Sequence, residues 1–355
     1  MIAAADFGPR LVAWQRAHGR HALPWQRDRD PYRVWLSEIM LQQTQVATVL
    51  AYFERFVQRF PDVRALAAAE LDEVLALWSG LGYYRRARHL HQCARQLVER
   101  HGGAFPRDAR QLAALAGIGR STAAAIAAFS FGERAAILDG NVKRVLRRAF
   151  APALQGHAVD SSAELRALWA LAEALLPADG IEAYTQGLMD LGATVCRARK
   201  PDCAACPFAA DCPGRAAIGA AGASLPRAPR RARTQAHWVL LWAQDSATPR
   251  LWLERRPGTG IWPGLWCLPT HDSADAALRQ AHTLGRVDAH ATLPPRRHLL
   301  THVELELQPL RVALTPRARA ADAASGWFTP DEALALGLPA PVRRLLAAHA
   351  LREPG

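Results

Sequence analysis

Four of the chain's six cysteines lie within seventeen residues, in the segment CRARKPDCAACPFAADC. Six residues separate Cys196 from Cys203, two separate Cys203 from Cys206, and five separate Cys206 from Cys212. Four thiolates without an intervening histidine suit either a zinc ion or a cubane iron–sulfur cluster. Zinc sites usually combine two tight CxxC turns, and only Cys203 and Cys206 form one here, so the spacing favours a cluster while leaving zinc open.

Two carboxylates stand in segments that could support acid–base chemistry. Glu38 lies in VWLSEIMLQQ among Leu36, Ile39 and Met40, and apolar surroundings raise the pKa of a carboxyl group until it can act as an acid. Asp139 follows two apolar residues in ILDGNVKRVLRR and precedes a basic helix. The alternatives are a solvated helix face for the glutamate and an ordinary helix cap for the aspartate.

A glycine turn and the overall charge both suit a polyanionic partner. In LAGIGRST, Gly117 and Gly119 form a tight turn before a helix, whose free N–H groups suit a phosphate, although a simple helix–helix connection has the same pattern. The formal charge is +12, supplied almost entirely by arginine, since Lys143 and Lys200 are the only lysines. Charge alone does not separate a nucleic-acid binder from a basic enzyme.

The elements that carry these residues change type along the chain. Up to about Leu191 the pattern is helical, with Asp30 predicted to cap one helix and a capping box predicted from Ser161 to Glu164. Residues 213–235 are rich in Pro, Gly, Ala and Arg and are predicted to be a linker. Beyond it, HWVLLWAQ, RLWLERR and HVELEL predict strands, and PAPVRRLLAAHAL predicts a final helix.

The sequence therefore predicts a helical region over residues 1–212, which includes the cysteine loop 196–212, and a small α+β domain over residues 236–350. The first twenty residues lack the apolar core of a signal peptide, and no stretch is apolar enough to span a membrane. We expect a cytosolic, reducing setting in which clustered cysteines bind metal. Cys93 and Cys267 lie singly in apolar segments and are expected to be buried.

Five segments in their order resemble one family. WLSEIMLQQTQV, LWSGLGYYRRARHL, LAGIGRSTAAAI, ILDGNVKRV and the cysteine loop are similar to the adenine DNA glycosylases of the helix-hairpin-helix superfamily. The resemblance runs from about Leu11 to Cys212 and continues more loosely to the C-terminus. It implies a multidomain protein, with an all-α helix-hairpin-helix glycosylase domain, one 4Fe–4S cluster on the four cysteines, and an α+β Nudix-like domain.

The resemblance also implies a reaction. Members of this family remove adenine mispaired with 8-oxoguanine or guanine by cleaving the N-glycosidic bond of a flipped nucleotide. Glu38 is then the acid that protonates adenine and later helps to activate water, Asp139 stabilises the oxocarbenium-like charge, and Asn141 is its polar neighbour. The expected partner is double-stranded DNA with an A:8-oxoG or A:G mispair, bound by a cytoplasmic monomer that is associated with the nucleoid if the source is bacterial.

The family's DNA contacts map onto this chain position by position. By resemblance, residues in five places bind DNA or the lesion: Trp25 and Gln26 at the adenine pocket, Gln43 and Thr44 at 8-oxoguanine, Leu81 and Tyr83 as the wedge, Gly117, Gly119 and Ser121 at the hairpin, and Thr301 and His302 in the C-terminal domain. The family usually has Phe-Ser-His where this chain has Leu300-Thr301-His302. Discrimination between 8-oxoguanine and guanine is the property that this departure affects.

Three other functions fit parts of the pattern. A bifunctional enzyme of the endonuclease III type shares the hairpin, the aspartate and the cluster, but it has a lysine where this chain has Ser121, so we expect at most weak strand cleavage through Lys143. A non-catalytic DNA-damage binder needs neither Glu38 nor Asp139. A nucleotide hydrolase needs the acidic metal-binding helix of active Nudix enzymes, and HDSADAALRQAHTLG stands in its place.

Overall fold

The computed structural model describes residues 2–221, 232–317 and 323–350. These residues divide into two compact units. The first comprises the described parts of Met1–Ala68 and His89–Ala228, and the second those of Ala69–Arg88 and Pro229–Gly355. A stretch from the helical half of the sequence thus belongs with the C-terminal residues.

Residues 2–221 form helices joined by turns, as predicted. The helices are α1 (Ala4–His18), α2 (Pro31–Leu41), α3 (Val46–Arg59), α4 (Val63–Ala68), α5 (Leu71–Trp78), α6 (Arg85–His101), α7 (Ala109–Ala113), α8 (Arg120–Phe131), α9 (Gly140–Ala149), α10 (Ser162–Ala174), α11 (Ile181–Asp190) and α12 (Pro213–Ala221). Short 3₁₀ turns lie at Pro24–Gln26 and Ala151–Leu154, and a π-helical turn at Leu191–Val195 extends α11. Among the described residues, none of the helices is both long and apolar enough to cross a bilayer.

Helix starts follow local sequence signals. The Asp30 carboxylate accepts a hydrogen bond from the Tyr32 N–H at 2.9 Å, which confirms the predicted cap of α2. Ser161 accepts from the Glu164 N–H at 3.1 Å and caps α10. The predicted capping box is only half formed, because the Glu164 carboxylate accepts from the Asp160 N–H at 2.6 Å instead of returning to Ser161.

The core of the first unit brings the cysteine loop and the hairpin helix together with the N-terminal helix. In α8, six consecutive residues from Ala123 to Ala128 are buried, since small alanine side chains let α2, α7 and α11 pack closely around this helix. Phe208, inside the cysteine loop, is buried and stacks on Phe7 of α1 with ring centroids 4.5 Å apart. The cysteine loop is therefore anchored in the core.

The second unit is built on a mixed sheet of eight described strands. They are β1 (Thr234–Asp245), β2 (Leu251–Arg255), β3 (Trp266–Cys267), β4 (Thr270–His271), β5 (Gly285–Thr292), β6 (Arg296–Leu299), β7 (Val303–Pro316) and β8 (Ser325–Phe328). The central pair, β1 and β7, is parallel over its whole length, and the other pairs are antiparallel. Helix α13 (Ala274–Leu284) packs on β1, β5 and β7, and α14 (Pro330–Ala335) and α15 (Ala340–Ala350) follow β8.

This architecture confirms the predicted α+β class, with strands at the three predicted segments and a final helix. The predicted linker differs, because its residues Pro213–Ala221 form α12 and β1 begins at Thr234. Four alanines in α12 favour a helix more than its two glycines oppose it. Residues 222–231 of the predicted linker lie outside the described residues.

Residues 69–88 are joined to the rest of the second unit by polar contacts. The Ser79 and Tyr84 hydroxyls both donate to the Leu338 carbonyl, at 2.8 and 3.0 Å. The Arg88 guanidinium donates to the Pro263 carbonyl at 2.7 Å. The segment that carries the predicted wedge is thus held by the strand-rich unit.

Candidate active site

Glu38 lines a cavity of about 280 Å³ in the first unit. One face of α2, residues 20–29 and α11 form its walls, and its side chains mix aromatic, apolar and polar groups. The lining includes Trp25, Gln26, Val34, Ser37, Leu41, Glu182 and Gln186. The structure therefore brings the predicted acid together with both predicted pocket residues.

Glu38 has a strongly perturbed carboxyl group. Burial raises the pKa of Glu38 to about 8, and the negative charge of Asp139 adds to this increase. The neighbouring α2 residues Trp35, Leu36 and Ile39 are buried and provide little solvation. Glu38 is consequently protonated at neutral pH, as an acid catalyst must be before it donates.

Asp139 is close enough to Glu38 to affect its pKa, so the two predicted carboxylates share one site. The Asp139 carboxylate accepts from the Val142 N–H at 2.7 Å and caps α9. Asp139 is therefore a helix cap, as the alternative interpretation predicted, and it also lies near Glu38. The preceding N–H, that of Leu138, donates to the Ser121 hydroxyl at 2.9 Å. Ser121 thus joins the first turn of α8 to the segment that presents Asp139.

Asn141 is linked to the cysteine loop through one arginine. Arg144 donates to Asn141 Oδ1 at 2.8 Å, to the Cys196 carbonyl at 2.8 Å and to the Gly192 carbonyl at 2.7 Å. A Cβ atom on Gly192 would lie 2.6 Å from the Asn141 Cβ, so the close approach requires glycine there. The geometry couples the Asn141 side chain to the loop that begins at Cys196.

The four clustered cysteines surround a small cavity of about 30 Å³. Burial raises the pKa of Cys206 to about 11, and the charges of Cys196, Cys212 and Cys203 add to it, which shows that the four sulfurs are near one another. The buried Arg148 donates to Cys196 Sγ at 3.3 Å. Within the described ranges, no group of three or more His, Cys, Asp or Glu residues is arranged around one metal ion. Cys93 and Cys267 are buried, as expected.

A buried carboxylate orients part of the cavity wall. Asp190, only 1% exposed, accepts from the Arg20 N–H and Nε at 2.8 and 2.7 Å, and from Gln186 Nε2 at 2.8 Å. A carboxylate can only accept, so the Gln186 amide nitrogen is assigned to face Asp190. Gln186 Oε1 then remains available to the cavity. Gln26 Nε2 donates to the Arg20 carbonyl at 3.1 Å, which fixes a second amide beside it.

Sequence reasoning missed this part of the site. Glu182, Gln186 and Asp190 follow each other at intervals of four, so they share one face of α11. Polar residues at that spacing on a helix of apolar character were the available signal. Arg20 has no comparable signal, since it lies in the loop after α1, and its side chain is held at the site by Asp190.

The hairpin has the geometry of a tight, accessible turn. Gly117 has a φ of +75°, and a Cβ atom there would lie 2.5 Å from the His89 Cβ. Gly119 is the N-cap of α8, and the position that its Cβ atom would take is open space. The first N–H groups of α8 are therefore approachable by an anion.

The remaining predicted DNA contacts lie at exposed turns, with one exception. Gln43 is exposed with a φ of +58°, and Thr44 is half-buried, both between α2 and α3. In the second unit Tyr83 is 46% exposed, and its hydroxyl lies 3.2 Å from Thr301 Oγ1. His302 is exposed, whereas Leu81 is buried at 6% exposure. The structure thus pairs Tyr83 with Thr301.

Comparisons with known proteins agree with both halves of the architecture. Residues 36–170 match the family described as HhH-GPD superfamily base excision DNA repair protein, and residues 237–348 match the NUDIX domain. A solved structure of a thermostable thymine-DNA glycosylase is 28% identical, with a TM-score of 0.55 over 60% of this chain and 97% of that chain. A solved structure of a non-covalent endonuclease III–DNA complex is 22% identical, with a TM-score of 0.51 over 62% of this chain and all of that chain. The two proteins share this fold.

Full-length relatives match both halves at once. The adenine DNA glycosylase of Buchnera aphidicola subsp. Schizaphis graminum is 31% identical over 96% of this chain and 97% of its own length. The adenine DNA glycosylase of Homo sapiens is 32% identical over 98% of this chain and 75% of its own length. At these identities and coverages, the chain belongs to the adenine DNA glycosylase family of base excision repair enzymes.

Proposed function

We propose that this glycosylase removes adenine mispaired with 8-oxoguanine or guanine and releases the base without efficient strand cleavage. The observation that carries the proposal is Glu38, a carboxyl group protonated at neutral pH on the wall of a cavity that is also lined by aromatic rings and glutamine amides. Protonation of the base is what an N-glycosidic bond needs to break, because it makes the leaving group neutral.

Glu38 and Asp139 divide the chemistry between them. Protonated Glu38 donates its proton to N7 of the flipped adenine, and its carboxylate then accepts a proton from the attacking water. Asp139 remains negative beside the sugar and stabilises the positive charge that develops as the bond breaks. The same negative charge helps to keep Glu38 protonated in the free enzyme. Asn141, fixed by Arg144, is the polar neighbour of Asp139.

The cavity supports adenine as the base. Gln186 directs its amide nitrogen to Asp190, which leaves an acceptor for the exocyclic amine of adenine. Guanine has a carbonyl oxygen at C6, where adenine has its amine. That oxygen and Gln186 Oε1 would then face each other without a hydrogen-bond donor. Trp25, which is buried and lines the cavity, supplies a flat apolar wall, and Gln26 lies next to it.

The DNA contacts follow the accessible turns. The approachable N-terminus of α8 supports a phosphate contact at Gly117 and Gly119. Exposure supports a DNA role for Gln43, Tyr83, Thr301 and His302, with Thr44 and Leu81 beside them. Tyr83 is the exposed member of the wedge pair, so we assign the first contact with the base stack to its ring.

The cysteine loop supports one 4Fe–4S cluster. A cubane binds one thiolate at each of its four irons, and Cys196, Cys203, Cys206 and Cys212 line one small cavity, which supports these four as its ligands. The Arg148 contact to Cys196 suits a thiolate, because a cation stabilises its negative charge. When bound, the cluster would cross-link the loop and supply a redox-active centre.

Replacing Glu38→Gln tests the proposal. The amide keeps the shape of the side chain but has no acidic proton, so single-turnover release of adenine opposite 8-oxoguanine is expected to fall by roughly a hundred-fold or more, with duplex affinity largely kept. Glu54→Gln, at an exposed position of α3, is the matched control and is expected to behave like the wild type. Near-normal cleavage by Glu38→Gln would refute the assigned role.

A further inference from the structure

The loop between α5 and α6 has an unusual backbone. Gly80, Gly82 and Tyr83 have φ values of +107°, +72° and +49°. Glycine adopts this region readily, whereas a tyrosine there is strained and persists only where its surroundings hold it. The structure must therefore contain groups that impose this conformation on Tyr83.

Arg86 makes the contacts that can impose it. Its Nη2 donates to the Leu81 and Gly82 carbonyls, both at 3.3 Å. Its guanidinium lies 5.3 Å from the centroid of the Trp78 ring and 5.5 Å from that of the Tyr83 ring. Trp78 Nε1 donates to the same Gly82 carbonyl at 3.1 Å. One guanidinium thus contacts the backbone of the loop and the ring that the loop exposes.

Helix stability does not explain an arginine at this position. Arg86 is the second residue of α6, where the positive end of the helix dipole disfavours a cation. It is also only 9% exposed, and removing a guanidinium from water is unfavourable, which is consistent with burial lowering the pKa of Arg86 to about 10. Its neighbour Arg85, by contrast, is exposed.

We propose that Arg86 is a positioning residue that holds the Tyr83 ring in the conformation required for stacking on the DNA bases. This inference rests on the proposed wedge role of Tyr83. A lysine cannot replace Arg86, because its compact, strongly hydrated ammonium lacks the planar guanidinium face that stacks on aromatic rings such as those of Trp78 and Tyr83. Holding the ring before DNA arrives removes an ordering cost from binding.

The test uses the full chain and a duplex that resists cleavage. The duplex carries 2′-fluoro-2′-deoxyadenosine opposite 8-oxoguanine, with 2-aminopurine beside the 8-oxoguanine to report disturbed stacking. Wild-type protein is expected to raise the fluorescence, and Arg86→Lys to lose most of that increase and bind about ten-fold more weakly. Arg85→Lys, one residue away with its side chain in solvent, is the matched control and is expected to retain the wild-type signal.

Epistasis separates positioning from a general loss of structure. Tyr83→Ala is expected to lose the same signal as Arg86→Lys, and the double variant Tyr83→Ala/Arg86→Lys to lose no more than Tyr83→Ala alone. The melting temperature of each variant is measured to check that it is folded. If Arg86→Lys does not fold, Arg86→Gln replaces it in the double-mutant cycle. A normal signal from the Arg86 variant, or additive losses in the double variant, would overturn the proposal.

The outcome for Tyr83→Ala keeps this inference distinct from the proposed function. If that variant retains the full fluorescence increase, Tyr83 does not stack and the role given to Arg86 is wrong. Release of adenine by the wild-type protein from the same duplex with ordinary deoxyadenosine would still support the proposed reaction.

Discussion

At the scale of single residues, the proposed reaction depends on a glutamate that keeps its proton at neutral pH. Glu38 gains this property from its place on the inner face of α2 and from the charge of Asp139. The sequence around Glu38 does not reveal either cause of the raised pKa, because a glutamate on an amphipathic helix can lie on the exposed face or on the inner face. Its apolar neighbours in the sequence were the only local signal.

The pH dependence of base release follows from the same pKa. Because Glu38 must be protonated to donate and its pKa is about 8, the single-turnover rate is expected to decline as pH rises through about 8. Above that value the rate falls about ten-fold per pH unit. Single-turnover rates between pH 4 and 10 measure this, because that range covers both the ordinary and the raised pKa. An inflection near pH 4.5 would show that Glu38 has an ordinary carboxyl pKa.

Stability must change in the matching direction. The folded-state pKa of Glu38 is raised, so the folded protein binds a proton that the unfolded chain has lost between roughly pH 4.5 and 8. This group therefore makes the free energy of unfolding decrease as pH rises across that window, by up to about 1.4 kcal/mol per unit. Denaturant unfolding of the wild type and Glu38→Gln at several pH values isolates the contribution, because glutamine does not titrate.

At the scale of elements, α9 connects the site to the cysteine loop. It begins beside Asp139, carries Asn141 and Arg144 in its first half, and places Arg148 against Cys196 one turn later. A helix is stiff over this length, so a shift at the loop is transmitted to the catalytic end. In the proposed reaction, the cysteine loop thus contributes to the geometry around Asp139 and Asn141.

Replacing Arg144→Gln tests this connection. The shorter amide cannot contact Asn141 and the two loop carbonyls together, so single-turnover release is expected to fall by roughly 10–100-fold, with less iron bound per chain. Lys143→Gln, the preceding residue on the same helix, is the control. Unchanged rate and iron content in Arg144→Gln would contradict the connection.

A second element-scale prediction concerns strand cleavage. We propose that Ser121 stands where enzymes of the endonuclease III type have their lysine. Its hydroxyl accepts from the Leu138 N–H and cannot form an imine. Lys143 is half-buried on α9 and, after Arg147, helps to lower the pKa of Asp160. We therefore expect base release to far outpace strand breaks at neutral pH.

Gel assays with and without alkali measure that difference. Breaks are expected only after alkali or heat, and any product trapped with borohydride is expected to disappear in Lys143→Ala while excision continues. Equal rates of release and breakage at neutral pH would show that the chain supplies an amine nucleophile after all.

Sequence patterns predicted the elements whose causes are local. The Asp30 cap formed as predicted, and so did the strands, because capping and alternation need only neighbouring residues. Glu164 was predicted to complete a capping box, but a competing partner changed its contacts. The cavity wall that contains Gln186 and Asp190 could not be predicted in this way. Its prediction requires knowing that the loop with Arg20 packs on α11, and sequence spacing alone does not show this.

At the scale of the whole molecule, the division into units does not follow the order of the sequence. Residues 69–88 belong with the C-terminal residues, because Ser79 and Tyr84 share the Leu338 carbonyl and Asp72 accepts from Arg255 at 2.5 Å. Helical periodicity within 69–88 could not reveal these partners, since they lie far along the chain. Domain boundaries predicted from composition therefore place residues 69–88 in the helical region, whereas the structure places them in the second unit.

Truncation near Pro213 tests the consequence. All the residues that line the Glu38 cavity precede the cut, so the shortened protein is expected to excise adenine. It loses the acceptors for Ser79, Tyr84 and Arg88, and with them Thr301, so its preference for 8-oxoguanine over guanine is expected to fall. The ratio of single-turnover rates on the two mispairs measures this. An unchanged ratio would assign recognition to Gln43 and Thr44.

The contacts of Ser79 also set an order of events during synthesis. Its acceptor, Leu338, is translated 259 residues later, which at about 5–20 residues per second is a delay of roughly 13–50 seconds. Until then residues 69–88 lack the partners that join them to the rest of the second unit. A nascent chain on the ribosome can therefore complete the cavity around Glu38 well before residues 69–88 gain these contacts.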